Sequence, residues 1–136
     1  MRTATVKWKG EQEFLATMPS GQQTLFDAAD TDKKGPSPKE ILLGALGGCT
    51  GSDVVTILRK KRQDLQSFEI SVSAEDAPEP PKVYTKIELV YRLKGNLDDK
   101  AVRDAIELSE TKYCSVSAML KKMARITYRY EILPPD

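Results

Sequence analysis

Residues 41–58 read ILLGALGGCTGSDVVTIL. The run is apolar, yet four glycines fall within it, and each glycine inside a helix costs about 1 kcal/mol relative to alanine. Their spacing still favours a helix. Gly44, Gly47, Gly48 and Gly51 stand at i, i+3, i+4 and i+7, which is one helical face. Ile41, Leu42, Leu46, Val54, Val55, Ile57 and Leu58 leave no polar face through the middle. A helix of that kind is expected to be buried on all sides, with the glycine stripe letting another backbone come close. The phosphate-loop alternative fails, because no Lys-Ser or Lys-Thr follows the glycines and G-x-G-x-x-G is absent.

The helix is predicted over residues 39–62. Ser37 is placed to cap it, with Pro38 in the first turn and Glu40 three residues after the cap. Arg59, Lys60, Lys61 and Arg62 supply cations at the end where the helix dipole favours them. Alternation predicts strands around it. ATVKW (4–8) puts Ala4, Val6 and Trp8 on one half-buried face, and short strands follow at 14–17 and 23–27. Further strands are predicted at 67–75, 83–93 and 125–133. Asp98 caps a second helix with Ala101, Val102, Ala105, Ile106 and Ser109 on one stripe. A third helix follows Cys114, with Val116, Met119, Leu120 and Met123 inward. The order β-β-β-α-β-β-α-α-β with short turns predicts an α+β domain with antiparallel sheets. One domain over residues 1–136 is expected, as no linker or repeat interrupts the chain.

No histidine occurs among the 136 residues. That excludes Ser-His-Asp and Cys-His catalysis and removes the commonest metal ligand. Two cysteines alone make a poor zinc site, and no cofactor is expected. A net charge of +1 argues against a nucleic-acid partner. The expectation of no membrane association rests on finding no apolar run near the roughly 18 residues of a span. The opening MRTATVKWKGEQEF lacks the apolar segment of a signal peptide, so the cytoplasm is the expected location.

Chemistry is left to thiols, carboxylates, Lys, Arg, Tyr or backbone, and Cys49 and Cys114 are the two thiols of the chain. Cys49 sits off the glycine face, with Asp53 one turn later at i+4. As a small apolar residue it also suits a core with no chemistry at all. Asp53 likewise has the plain alternative of a bond to Lys60, Lys61 or the end of another element. Cys114 precedes a helix for which Ser115 is the predicted cap, and the helix dipole there would lower a thiol's pKa. A two-thiol redox cycle is the economical chemistry for such a pair.

The segments GPSPKEILLGALGGCTGSDVV and KYCSVSAML together resemble the OsmC/Ohr family of osmotically induced and organic-hydroperoxide-resistance proteins, in its OsmC-like branch. The likeness covers nearly the whole chain. It implies an OsmC-like fold with a long central buried helix, built as an intertwined homodimer with sites at the interface. It implies thiol-dependent reduction of organic hydroperoxides, with Cys49 peroxidatic, Cys114 resolving and a cellular dithiol as reductant. This order reverses the ranking that the dipole alone suggests. Two departures stand out. Residues 10–58 contain no arginine to hold the thiolate, which leaves Lys33, Lys34 or Lys39 as the nearby cations and Asp53 as a further candidate. The family's glutamate position holds Lys39, and Glu40 comes one residue later, an offset of about 100° on a helix. These departures motivate an alternative, a non-catalytic dimeric module on the same fold that binds a small molecule or senses redox state.

Overall fold

A computed structural model describes residues 1–136. The order is β1 (Thr5–Gly10), β2 (Glu13–Thr17), β3 (Gln23–Asp27), α1 (Pro38–Lys60), β4 (Asp64–Asp76) and β5 (Tyr84–Asn96). Then come α2 (Asp99–Leu108), a π-helical turn (Ser109–Tyr113), α3 (Ser115–Leu120) and β6 (Arg125–Leu133). The chain forms two compact units, Met1–Leu42 and Leu43–Asp136, and their boundary falls inside α1.

The first unit is an antiparallel meander β1-β2-β3, with Trp8 opposite Phe14 and Phe14 opposite Phe26. The alternation of β1 is present, but its apolar side is not covered. Val6 is 56% and Trp8 63% exposed, contrary to the half-buried strand expected. The loop after β3 is fixed by Asp27, whose carboxylate accepts N–H bonds from Ala29 (2.9 Å) and Lys34 (3.0 Å). Those two donors hold its carboxyl below the ordinary value. Gly35 is required there, since a Cβ at that position would lie 2.3 Å from the Leu25 carbonyl oxygen.

The start of α1 is the predicted capping box. Ser37 Oγ accepts the Glu40 N–H (3.2 Å), and Glu40 Oε1 accepts the Ser37 N–H (3.1 Å). Lys33 Nζ adds a bond to the same oxygen at 3.0 Å. The Ser37 bonds first, and Lys33 next, bring the Glu40 carboxyl down from 4.5 to about 2. The folded value lies below the unfolded one. The cap's contribution is therefore complete above pH 4.5 and is lost as pH falls towards 2. In a carboxyl-detected NMR titration Glu40 should titrate at about 2, and Ser37→Ala should move it upwards; an ordinary midpoint in the wild-type protein would contradict this cap.

In the second unit β4 and β5 pair antiparallel, but β5 and β6 pair parallel. This corrects the all-antiparallel expectation. Both remaining helices lie in the connection between β5 and β6, and such a crossover brings the chain back in the same direction. Ile87, Leu89, Tyr91 and Leu93 alternate along β5 and are fully buried. They meet Leu46, Val54 and Leu58 of α1 and the predicted stripe Ala101, Val102, Ala105 and Ile106 of α2. Asp98 caps α2 as expected, accepting the Ala101 N–H at 3.1 Å.

Helix α1 corrects two expectations. Only Leu46, Thr50, Val54 and Leu58 are buried, one row at every fourth residue, so the helix is not enclosed on all sides within one chain. The glycine face does receive a close neighbour, but it is the side chains of β4. Val72 Cγ2 stands 3.4 Å from where a Gly47 Cβ would be, and Ile70 Cδ1 stands 3.3 Å from the corresponding point at Gly51. An open groove of about 790 Å³ runs along this face, lined by Gly44, Gly47, Gly48, Gly51, Phe68 and Ile70 among others. By length and composition alone α1 is also apolar enough to cross a membrane, with a mean hydropathy of 1.6, which the sequence reading had excluded. Its buried row joins the protein core, and Asp53 at mid-helix accepts a hydrogen bond from Ser109, so α1 is a core helix here.

Around α3, Val116 and Leu120 pack against the core as expected, but Met119 and Met123 do not. Met119 and Met123 are 68% and 65% exposed, while Ser117 is fully buried. The cap is Cys114 rather than Ser115, and this sets the phase of the short helix.

Candidate functional site

Helix α1 and the π-helical turn after α2 bring Cys49 and Cys114 to one cluster: Cys114 is buried in the core, Cys49 packs partly buried against it, and the two thiols bear on each other's ionisation. Cys49 is half-buried and Cys114 buried, and both are free thiols. The Ser117 N–H donates to Cys114 Sγ at 3.3 Å. That bond is the effect expected of a helix start, and it favours the thiolate. It does not win. Burial, reinforced by Cys49 and the Glu110 carboxylate, pushes the Cys114 thiol up to about 12. At neutral pH Cys114 holds its proton, contrary to the lowered value expected of a thiol at a helix start.

Beside the thiols runs a chain of buried polar side chains. Thr50, adjacent to Cys49, places Oγ1 at 2.7 Å from Tyr91 OH and 2.7 Å from Ser109 Oγ. Ser109 Oγ donates to Asp53 Oδ2 at 2.9 Å. Tyr91 OH donates to Glu110 Oε1 at 2.8 Å, and Ser117 Oγ donates to Glu110 Oε2 at 2.8 Å. Lys121 Nζ donates to the Glu110 carbonyl oxygen. Two carboxylates, Asp53 and Glu110, are thereby linked through three hydroxyls. No buried side-chain nitrogen or oxygen lacks a partner. Desolvation and the nearby Glu110 charge push the Tyr91 phenol above its ordinary value, which keeps it a donor.

Of the residues singled out from sequence, Cys49, Asp53 and Cys114 fall in this cluster. Asp53 is bonded to Ser109 at the end of α2, which is the alternative of another element's end rather than of Lys60 or Lys61, and Lys61 lies 3.8 Å from Asp104. Glu40 is engaged at the start of α1 with Ser37 and Lys33, and Lys39 is exposed in the same turn. Sequence reasoning missed Thr50, Tyr91, Glu110 and Ser117. A weak signal existed for Thr50, a hydroxyl in an otherwise apolar run, and for Ser109, a polar residue on the apolar stripe of α2. Glu110 gave none, because a glutamate in a polar stretch reads as surface until the π-helical turn directs it inward.

Comparison with known proteins matches residues 31–129 to the family described as OsmC-like protein. The chain is 44% identical to Protein YhfA of Escherichia coli (strain K12) over 131 residues, 96% of this chain and 97% of that one. A solved structure of a hypothetical protein from Aquifex aeolicus VF5 superposes with a TM-score of 0.91 at 32% identity, covering 100% of this chain and 98% of the other. An organic hydroperoxide resistance protein OsmC from Legionella pneumophila shares the fold, with a TM-score of 0.71 at 12% identity over 96% of each chain. From the family match and these end-to-end likenesses, the chain belongs to the OsmC-like protein family.

Proposed function

We propose that this protein is a thiol-dependent peroxidase that reduces organic hydroperoxides with Cys49 and Cys114. The observation that carries the reading is that the two thiols, far apart in sequence, belong to one core cluster beside a network of buried hydroxyls and carboxylates. The Legionella relative named for organic hydroperoxide resistance points to the same substrate class. In the reaction the Cys49 thiolate attacks one peroxide oxygen. The O–O bond breaks, the alcohol leaves with a proton, and Cys49 becomes a sulfenic acid. The Cys114 thiol, protonated until this step, gives up its proton as its sulfur attacks the Cys49 sulfur. Its proton leaves with the hydroxide as water, and a Cys49–Cys114 disulfide forms. A dithiol of a reducing compartment such as the cytoplasm restores the thiols.

The working form is a homodimer. Leu42, Val6 and Trp8 are exposed on one chain although each belongs to an apolar face, and a second copy would cover them. Light scattering should give twice the chain mass; a stable monomer would contradict it.

Stoichiometric cumene hydroperoxide added to reduced protein tests the chemistry. Two thiols per chain should be lost within seconds, and mass spectrometry should find a Cys49–Cys114 link. Thiols that survive for an hour would instead favour the second reading, a non-catalytic module using the open groove of about 790 Å³ along α1 to bind an apolar small molecule.

A further inference from the structure

The hydroxyl chain beside the thiols has room for one more proton. Four oxygen–oxygen contacts run in series from Glu110 to Asp53: Glu110–Tyr91 at 2.8 Å, Tyr91–Thr50 and Thr50–Ser109 each at 2.7 Å, and Ser109–Asp53 at 2.9 Å. Each is a hydrogen-bond distance and calls for a hydrogen between its oxygens. A hydroxyl owns one hydrogen and an ionised carboxylate none, so Tyr91, Thr50 and Ser109 bring three hydrogens to four contacts. With Tyr91 donating to Glu110 and Ser109 donating to Asp53, Thr50 fills only one of its two contacts. A proton added to either carboxylate fills the last, because the hydroxyls then donate in one direction along the whole chain. Such a series accepts a proton at one end and, by shifting a hydrogen at each oxygen, yields one at the other.

Each end belongs with one of the thiols. Ser117 bonds to both Cys114 and Glu110: its N–H donates to Cys114 Sγ at 3.3 Å, and its Oγ donates to Glu110 Oε2 at 2.8 Å. Asp53 follows Cys49 by one turn of α1, on the same side of the helix. The titratable groups around Glu110 are Tyr91 of β5, Tyr128 of β6, Cys114 and Lys121. Lys121 is the one cation among them, and it bonds to the Glu110 backbone carbonyl. The Glu110 carboxylate is therefore the base of this group.

We propose that the series is a proton relay for disulfide formation, in which Glu110 takes the proton that Cys114 gives up and Asp53 delivers one to the hydroxide leaving Cys49. It rests on the two-thiol reading above and adds the groups that move the protons. The Cys114 sulfur forms its bond to the Cys49 sulfur. The S–O bond of the sulfenic acid breaks, and its electron pair leaves on hydroxide. The Cys114 sulfur is oxidised and the Cys49 sulfur is reduced. The Cys114 proton enters at Glu110, one hydrogen shifts at each of Tyr91, Thr50 and Ser109, and a proton emerges at Asp53 to join the hydroxide as water. Both carboxylates end as they began, so no outside acid or base is consumed.

The test times a single turnover of the whole protein. Reduced protein is mixed with one equivalent of cumene hydroperoxide, and separately with diamide, whose adduct on Cys49 is displaced by the same attack from Cys114. Acid-quenched samples are read by mass spectrometry. With peroxide, Glu110→Gln and Thr50→Val should still give the Cys49 sulfenic acid, and their disulfide should form about 100-fold more slowly at neutral pH. Their rates should climb about tenfold per pH unit as solvent base takes over the Cys114 proton, while the wild-type rate changes little. Thr50→Ser keeps the hydroxyl and should keep the wild-type rate. The wild-type rate plotted against the deuterium content of the solvent should curve, because several protons move in one step, and this measurement needs no variant. A straight plot, a Glu110→Gln protein as fast as the wild type, or a Thr50→Ser protein as slow as Thr50→Val would overturn the relay alone. No disulfide in the wild-type protein with either oxidant would overturn the two-thiol reading with it.

Discussion

Cys49→Ser should abolish hydroperoxide consumption, by ~10³-fold or more, because removing the nucleophile removes the covalent step itself. The fold should survive the change. Cys49 is half-buried and its replacement is nearly isosteric, so the thermal unfolding curve should hardly move. Cys114→Ser should behave differently. Its Cys49 should still consume one equivalent of peroxide, stop at a sulfenic acid that dimedone traps, and fail to form the intramolecular disulfide. The two variants together separate the roles. Full peroxide consumption by Cys49→Ser, or an ordinary disulfide-forming cycle in Cys114→Ser, would reject the assignment.

The largest structural effect is expected at Tyr91. Its ring is fully buried, lies 6.3 Å from Phe68 in a stacked arrangement, and meets Tyr128 edge-on at 6.3 Å. Its hydroxyl joins Thr50 to Glu110. Tyr91→Ala removes the ring and leaves a cavity, at a cost of about 4 kcal/mol. Tyr91→Phe keeps the ring and removes only the oxygen. It strands Glu110 Oε1 without its donor, and the cost should be about 2 kcal/mol. Urea unfolding of the three proteins measures both, and the difference between the variants isolates packing from hydrogen bonding. A Tyr91→Phe protein as stable as the wild type would mean that the buried cluster does not depend on this link. The same variant should also be assayed for peroxide consumption, since Glu110 faces Cys114 and would lose one of its two donors.

Local chemistry made several features legible in the sequence. The Ser37–Glu40 box and the Asp98 cap are contacts between residues three apart, so spacing alone specifies them. The alternation of Ile87, Leu89, Tyr91 and Leu93 specifies the buried face of β5, because side chains alternate across a strand whatever lies beyond it. The absence of histidine left any chemistry to thiols, carboxylates, Lys, Arg, Tyr or backbone.

What spacing cannot encode is which distant residues meet, and there the tertiary structure decided. The direction of β6 followed from the crossover through α2 and α3, not from its own alternation. The approach of Cys49 to Cys114 and the inward turn of Glu110 depend on how α1 and the π-helical turn pack together, and neither segment carries that information alone. The protonation of Cys114 was decided the same way. A helix start promises a lowered pKa from sequence, but desolvation is set by everything that surrounds the sulfur, and at Cys114 it is the larger effect.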